Sequence, residues 1–498
     1  MKGFDFSNSL TLFNIMHTNI HHNFESFSRK TSGMAAMRIG LLLFSLVSHP
    51  ALALEITHRN VTWTIAGDPV NGTYANGDPW VVGPVTISSI RPESTEANGW
   101  WQHGTQVNAV AGTGPQGFDS SMSEGGQGPW YSIVLNVDPG HTGSPIVLNE
   151  GTVIKAISRS SRPDVRGAGS RPQLLGMEYL TVVTEAPPAG AFRPPPVGTG
   201  KSSNWTTEDL DYSILRSLPA LPGAPDKSVV EDWFLHPWPS FIMDNQGRWV
   251  HPLANMPNYG RDFGRRLGHG GLLLHSEIGD KTTLYIRMVQ IGIDTYATVR
   301  ENKFFTGFGA INCGRKWPVL LAGLGLGDEG IQYVASGGIT TPGSAPNASR
   351  LNFSFDRQTW YVLPGDVGRE MYSRDGRPRE TYHEEHVGLP EWGEQHWKQA
   401  VRDGSNWNAY YRNIAFAGEF GGILSAILTK DGTEAWGWPA TIEYFDRYMQ
   451  DRPGGAVGTA PNNLSEWEGA MYSEYRDRVP PVRARRPEPP RNLRIPEP

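Results

Sequence analysis

A single cysteine, Cys313, stands in the whole chain, which excludes an intramolecular disulfide framework and any multi-cysteine metal centre. Its expected role is that of a small buried hydrophobe. Positive charge is not in excess either: the formal net charge is −6, which argues against a nucleic-acid-binding fold. After the amino-terminal leader no apolar run approaches the roughly 18 residues of a membrane helix, so stable membrane insertion is not expected. Familiar catalytic signatures are missing as well. There is no G-x-S-x-G elbow, and "GTGKSS" at 198–203 lacks the spacing of a phosphate-binding loop. In "HEEH" His383 and His386 stand three apart, whereas a zinc-protease helix needs its two histidines four apart on one face. No metal or other cofactor is therefore expected.

What is present is aromatic and loop-forming. Seventeen tryptophans exceed the 12 methionines, beside 58 glycines and 39 prolines, a composition suited to loops that present flat aromatic faces. From Met37 the chain reads "MRIGLLLFSLVSHPALALE": a basic residue, an apolar stretch from Ile39 to Val47, and a small-x-small signal at Ala51-Leu52-Ala53. This predicts export with cleavage near Ala53, with translation starting at Met34 or Met37, and a secreted, periplasmic or cell-surface protein.

The pattern of apolar residues then divides the chain. Residues 1–53 are the amino-terminal extension and signal peptide. Residues 55–185 alternate short β-branched runs with Gly, Pro, Asn and Asp, as in "NVTWTIAG" and "WVVGPVTISSI", and predict an antiparallel β-sandwich domain. Residues 186–250, opening "APPAGAFRPPPVGTGKSSN", form a Pro/Gly-rich extended connector with a short helix expected after Thr206. From 251 to 452 the period becomes helical: an αα-hairpin on either side of Gly279-Asp280, a helix near Pro318, one at 411–429 and one at 439–450. Helical hairpins with long insertions suit an α/α toroid. The fold class is thus multidomain α+β, with a Pro/Arg-rich tail at 453–498 expected as a disordered linker.

Two stretches carry candidate chemistry. In "NCGRKWPVLLAGLGLGDEG" two cations, Arg315 and Lys316, stand at the amino end of an apolar helix, where partial positive charge already favours an anion. Between 372 and 412, His383, His386 and His396 mix with Trp392, Trp397, Trp407, several tyrosines and carboxylates, a collection suited to a cleft rather than to a core.

The runs "GRDFGRRLGHGGLLLH", "IGDKTTLYIRMVQIGIDTYATV", "GRKWPVLLAGLGLGD", "EHVGLPEWG" and "NWNAYYR" resemble a group of exported bacterial proteins from polysaccharide-degrading organisms. That group is similar in outline to alginate-lyase-like and glucuronan-lyase-like α/α-toroid proteins. The resemblance covers roughly 55–452 and is strongest from 258 to 450. It implies an acidic polysaccharide as partner and β-elimination as the reaction. A lyase must neutralise the uronate carboxylate, remove the C5 proton and protonate the leaving O4. On this resemblance Arg315 serves as the catalytic cation, with His386 and Tyr411 as base and acid. Lys316, Asn408 and Arg412 help to bind the carboxylate, and Trp317, Trp392 and Trp407 are sugar platforms. A glycoside hydrolase using two of Glu384, Glu385, Glu391, Glu394 and Glu419, or a non-catalytic carbohydrate-binding surface protein, are the alternatives.

Overall fold

The computed structural model describes residues 52–123, 130–159, 173–198, 200–243, 251–257, 260–301, 303–305, 310–337, 351–372, 378–379, 381–392, 409–450 and 464–479. The expected leader and the Arg/Pro-rich end after 479 lie outside them. The fold is mixed α+β.

Eleven strands come first: β1 (Ala53–His58), β2 (Val61–Ala66), β3 (Asn71–Thr73), β4 (Pro79–Val82), β5 (Val85–Arg91), β6 (Thr95–Ala97), β7 (Trp100–Gln102), β8 (Thr105–Val107), β9 (Ile146–Leu148), β10 (Gly151–Ser158) and β11 (Leu174–Val183). One sheet has the order β1-β2-β5-β9, and another runs β3-β4-β11-β10-β8. In β2 the alternation is strict: Val61, Trp63 and Ile65 turn inward and the threonines between them outward. Those side chains share one apolar cluster with Val153, Leu180 and Val182 of the second sheet. The opposite face of β10 and β11 is covered too, where Ile154, Ala156, Met177 and Tyr179 meet Phe118, Phe241 and Ile242. Burial on both faces explains why β10 and β11 read as nearly unbroken apolar runs. The expectation of purely antiparallel pairing needs correcting, because β4 runs parallel to β11. No hairpin joins these two strands, so turn geometry does not dictate their direction.

Eleven α-helices occur among the described residues: α1 (Pro139–Thr142), α2 (Lys227–Trp233), α3 (Gly260–Leu274), α4 (Thr282–Arg300), α5 (Lys316–Gly325), α6 (Glu329–Ala335), α7 (Ser354–Gln358), α8 (Ala409–Leu428), α9 (Gly432–Trp436), α10 (Pro439–Gln450) and α11 (Glu466–Tyr475). Small two-stranded sheets pair β12 (Thr359–Tyr361) with β15 (Pro390–Trp392), and β13 (Met371–Tyr372) with β14 (Pro378–Arg379). The hairpin α3–α4 has the expected break: Gly279 adopts φ 79° and the Asp280 carboxylate accepts from Thr282 N–H at 2.9 Å. No described helix is long and apolar enough to cross a membrane.

Two local expectations differ. After Thr206 the chain makes only 3-10 turns, Thr207–Asp209 and Tyr212–Ile214, and the connector's real helix is α2, capped by Asp226. Beyond 452 the chain is not all linker. Ser465 and Glu468 form a capping box, and Trp467, Met471 and Tyr475, four apart, bury one face of α11 in the helical core.

Glycines decide how closely α3 approaches α8. A Cβ on Gly268 would lie 2.7 Å from the Gly421 Cα, and one on Gly264 would collide with the Gly418 carbonyl. Both obstacles are backbone, which cannot swing aside. Gly268→Ala should therefore destabilise the protein by about 2 to 3 kcal/mol, although alanine is the better helix former by ~1 kcal/mol. Urea unfolding checks this, and an unchanged midpoint would contradict the close crossing.

Candidate functional site where sheet meets helices

Charged residues inside apolar segments must find partners, and several of them find one another between the strands and α4. Glu178 interrupts β11 and is fully buried, while Asp294 sits on the covered face of α4. The β1–β2 turn contributes His58 and Arg59, the loop before β4 contributes Asp78, and the segment after α2 contributes His236.

Arg193 clamps this assembly. Its Nε donates to Asp78 Oδ2 at 2.7 Å and its Nη2 donates to Asp294, while its guanidinium lies 4.9 Å from the centre of the Tyr179 ring. Gln290, one helical turn before Asp294, accepts from Arg193 N–H and donates to its carbonyl, both at 2.9 Å. The connector is thereby bonded to α4 through side chain and backbone together. Burial by itself would raise the Asp78 carboxyl, but His58, Arg193 and Arg59 outweigh it and hold the group well below the usual carboxylate range. Burial dominates at Asp294 and pushes it up to about 6.

The outer edge of the cluster is partly open. Glu178 Oε1 is 2.6 Å from His236 Nδ1, and Glu178 Oε2 accepts from Arg59 Nη1 at 2.6 Å. His58 Nε2 stands 3.6 Å from Glu178 and 3.7 Å from Asp78. Side-chain exposure is 16% for His58, 11% for Arg59 and 19% for His236, against none for Glu178. A carboxylate on Nδ1 fixes the imidazole so that Nε2 is its available acceptor, the arrangement of an oriented general base. Arg59 itself has φ 50°, in the left-handed region that favours glycine or asparagine. A strained cation thus adjoins a carboxylate-held histidine, which suits an anionic substrate and proton abstraction. The described residues contain no group of three or more His, Cys, Asp or Glu arranged to hold a metal ion.

The sequence-predicted residues lie elsewhere. Arg315 occupies the N-cap position of α5 without a side-chain capping bond and Lys316 opens the helix, both in the interior. Lys316 Nζ donates to Asp356 and, at 2.5 Å, to the Trp436 carbonyl. At this helix start the carboxylate of Asp356 pairs with Lys316, and the Glu419 carboxyl accepts from Gly314 N–H at 2.9 Å. Trp317 and Trp392 are core indoles in the same apolar cluster, so neither offers a face to a sugar. His386 ends a 3-10 turn, Glu384–His386, and its Nδ1 accepts from His383 N–H at 2.8 Å. Tyr411 and Arg412 belong to the first turn of α8, and their side chains lie outside the description, as do Trp407 and Asn408 entirely. Cys313 is buried, as expected.

Sequence reading overlooked His58, Arg59, Asp78, Glu178, Arg193, His236 and Asp294. The available signal was a carboxylate inside each of two apolar runs, "GMEYLTVV" and "IGIDTYATV". No protein family, curated protein or solved structure matches the chain.

Proposed function

We propose that the protein is an exported polysaccharide lyase that cleaves a uronate-containing polymer by β-elimination, working where an N-terminal β-sandwich adjoins an α/α toroid. The observation that carries this reading is the linked set Arg59, Glu178 and His236, a partly exposed cation beside a carboxylate-oriented imidazole. Arg59 neutralises the uronate carboxylate and so acidifies C5–H. His236 takes the C5 proton through Nε2 as the C4–C5 double bond forms and the C4–O4 bond breaks, and the departing O4 receives a proton from His58. Glu178 holds the base and the cation in one geometry. The interior positions of Arg315 and Lys316 move the carboxylate-binding role away from the pair that the sequence favoured.

The test is a panel of alginate, glucuronan, pectate, ulvan and glycosaminoglycans, followed by the ultraviolet absorbance of the unsaturated product. Absorbance rising together with reducing ends is expected with at least one polymer. Reducing ends without that absorbance would favour hydrolysis, and binding without turnover would favour a carbohydrate-binding protein.

A further inference from the structure

The junction between strands and helices holds a further arginine that the proposed chemistry does not use. Arg287 stands half-buried on α4, one helical turn before the Gln290 that bonds Arg193 and two turns before Asp294. Its Nη1 donates to the Glu231 carbonyl at 3.1 Å, in the last turn of α2 and just ahead of His236 in the chain. A guanidinium therefore stands between the helix that carries Asp294 and the segment that carries His236.

The carboxylates nearby are engaged by other cations. Glu231, whose carbonyl Arg287 holds, turns its own carboxylate to Lys227 at 3.5 Å, and Asp232 is exposed. Deeper in the junction Asp78 and Asp294 belong to Arg193, and Glu178 to Arg59 and His236. Among the described residues no carboxylate forms an ion pair with Arg287. Burial first, then repulsion from Arg59, lowers its pKa, and the attractions of Glu231, Asp232 and Asp78 are each smaller than that repulsion. Two guanidiniums that repel each other at a partly open edge suit a ligand with more than one negative group. With Nη1 on the Glu231 carbonyl, Nε and Nη2 remain, and these share one edge of the guanidinium and point the same way, as two parallel bonds to a carboxylate require.

We propose that Arg287 binds the carboxylate of the uronate next to the one held by Arg59, so that the site selects polymers of contiguous uronates over those in which uronates alternate with neutral sugars. This deepens the lyase reading and rests on it for the uronate placed on Arg59. Alginate, glucuronan and pectate have the required run of carboxylates, whereas hyaluronan does not.

Steady-state kinetics of Arg287→Gln test it, together with calorimetric binding of guluronate, glucuronate and galacturonate trimers to the inactive His236→Ala protein. Glutamine keeps a donor for the Glu231 carbonyl and removes the charge. The expected result is a KM raised about tenfold on the cleaved polymer with kcat within about twofold, the mark of lost binding without lost chemistry. Trimers should bind about tenfold more weakly when Arg287→Gln is added to His236→Ala, while the monomeric uronates bind equally. An unchanged KM and trimer affinity, or turnover of hyaluronan in preference to the contiguous polyuronates, would overturn the proposal. A fall in kcat alone would also overturn it, leaving Arg287 as a support for the His236 segment. If Arg287→Gln does not fold, His236→Ala decides with the same trimers against hyaluronan oligosaccharides of equal length, and equal affinity counts against the proposal. Trimer binding that depends on Arg287 without turnover of any polymer would sink the lyase reading and support the contiguous-uronate site. Turnover indifferent to Arg287 would do the reverse, and a protein that binds no trimer would sink both.

Discussion

If the proposed lyase reaction runs at the junction, Arg59→Gly is expected to lower kcat/KM on its polymer by about a hundredfold while leaving the protein close to its original stability. The two halves have separate physical origins. In the proposed reaction the guanidinium neutralises the substrate carboxylate, and loss of one such contact in a transition state is worth roughly 3 kcal/mol. The backbone at this turn has φ 50°, which glycine adopts without the strain that arginine carries, a relief of about 1 kcal/mol. That relief offsets the lost bond to Glu178, which keeps His236 as a partner. Arg59→Lys should fall between, retaining charge but losing the forked geometry. His236→Ala should lose as much activity as Arg59→Gly. Initial rates beside melting curves separate chemistry from folding. Full activity in Arg59→Gly would remove the junction from consideration as the catalytic site.

Acidification should destabilise the protein steeply through a residue remote from that chemistry. His275 is buried and its two ring nitrogens already have fixed roles: Nδ1 accepts from Arg216 N–H at 3.1 Å and Nε2 donates to Thr429 Oγ1 at 3.0 Å. The threonine hydroxyl passes its own proton to the Ser425 carbonyl at 2.8 Å, so this assignment is self-consistent. A proton on Nδ1 would face an N–H donor. Burial first, then Lys281 and Arg216, bring the imidazole down to about 3 from its ordinary 6.5. Between those values the unfolded chain binds the proton and the native protein does not. Stability is therefore fully present above about pH 6.5 and declines as pH falls toward 3. At about 1.4 kcal/mol per unit the whole loss is on the order of 4 to 5 kcal/mol. His275→Asn keeps an acceptor near Arg216 N–H and removes the titration, so its urea midpoint should fall less between pH 6.5 and 4.5. A slope as steep as the parent's would assign the acid sensitivity to other groups.

Periodicity was enough to locate most elements. The inward residues of β2 and the helices α3, α4, α8 and α10 follow from spacing alone, because a half-buried strand and an amphipathic helix each impose their own repeat. The helix α11 was missed: its signals, Ser465, Glu468 and the stripe Trp467, Met471, Tyr475, were present, but the basic, proline-rich stretch after it made the whole segment read as a linker.

Charge at buried positions was legible only as a demand. Arg315 and Lys316 before an apolar helix called for anions, and Glu178 and Asp294 within apolar runs called for cations. Which groups answer is settled by chain closure. Asp356 reaches Lys316 from 40 positions away and Glu419 reaches Gly314 from 105, while Arg59 meets Glu178 across 119. Local sequence carries the cost of an unpaired buried charge, since that cost belongs to the residue and its apolar neighbours. The identity of the partner depends on which distant segments pack together. The tertiary fold therefore decided that the conspicuous cations are interior and that a hairpin turn, a strand and the segment after α2 bring Arg59, Glu178 and His236 to one edge.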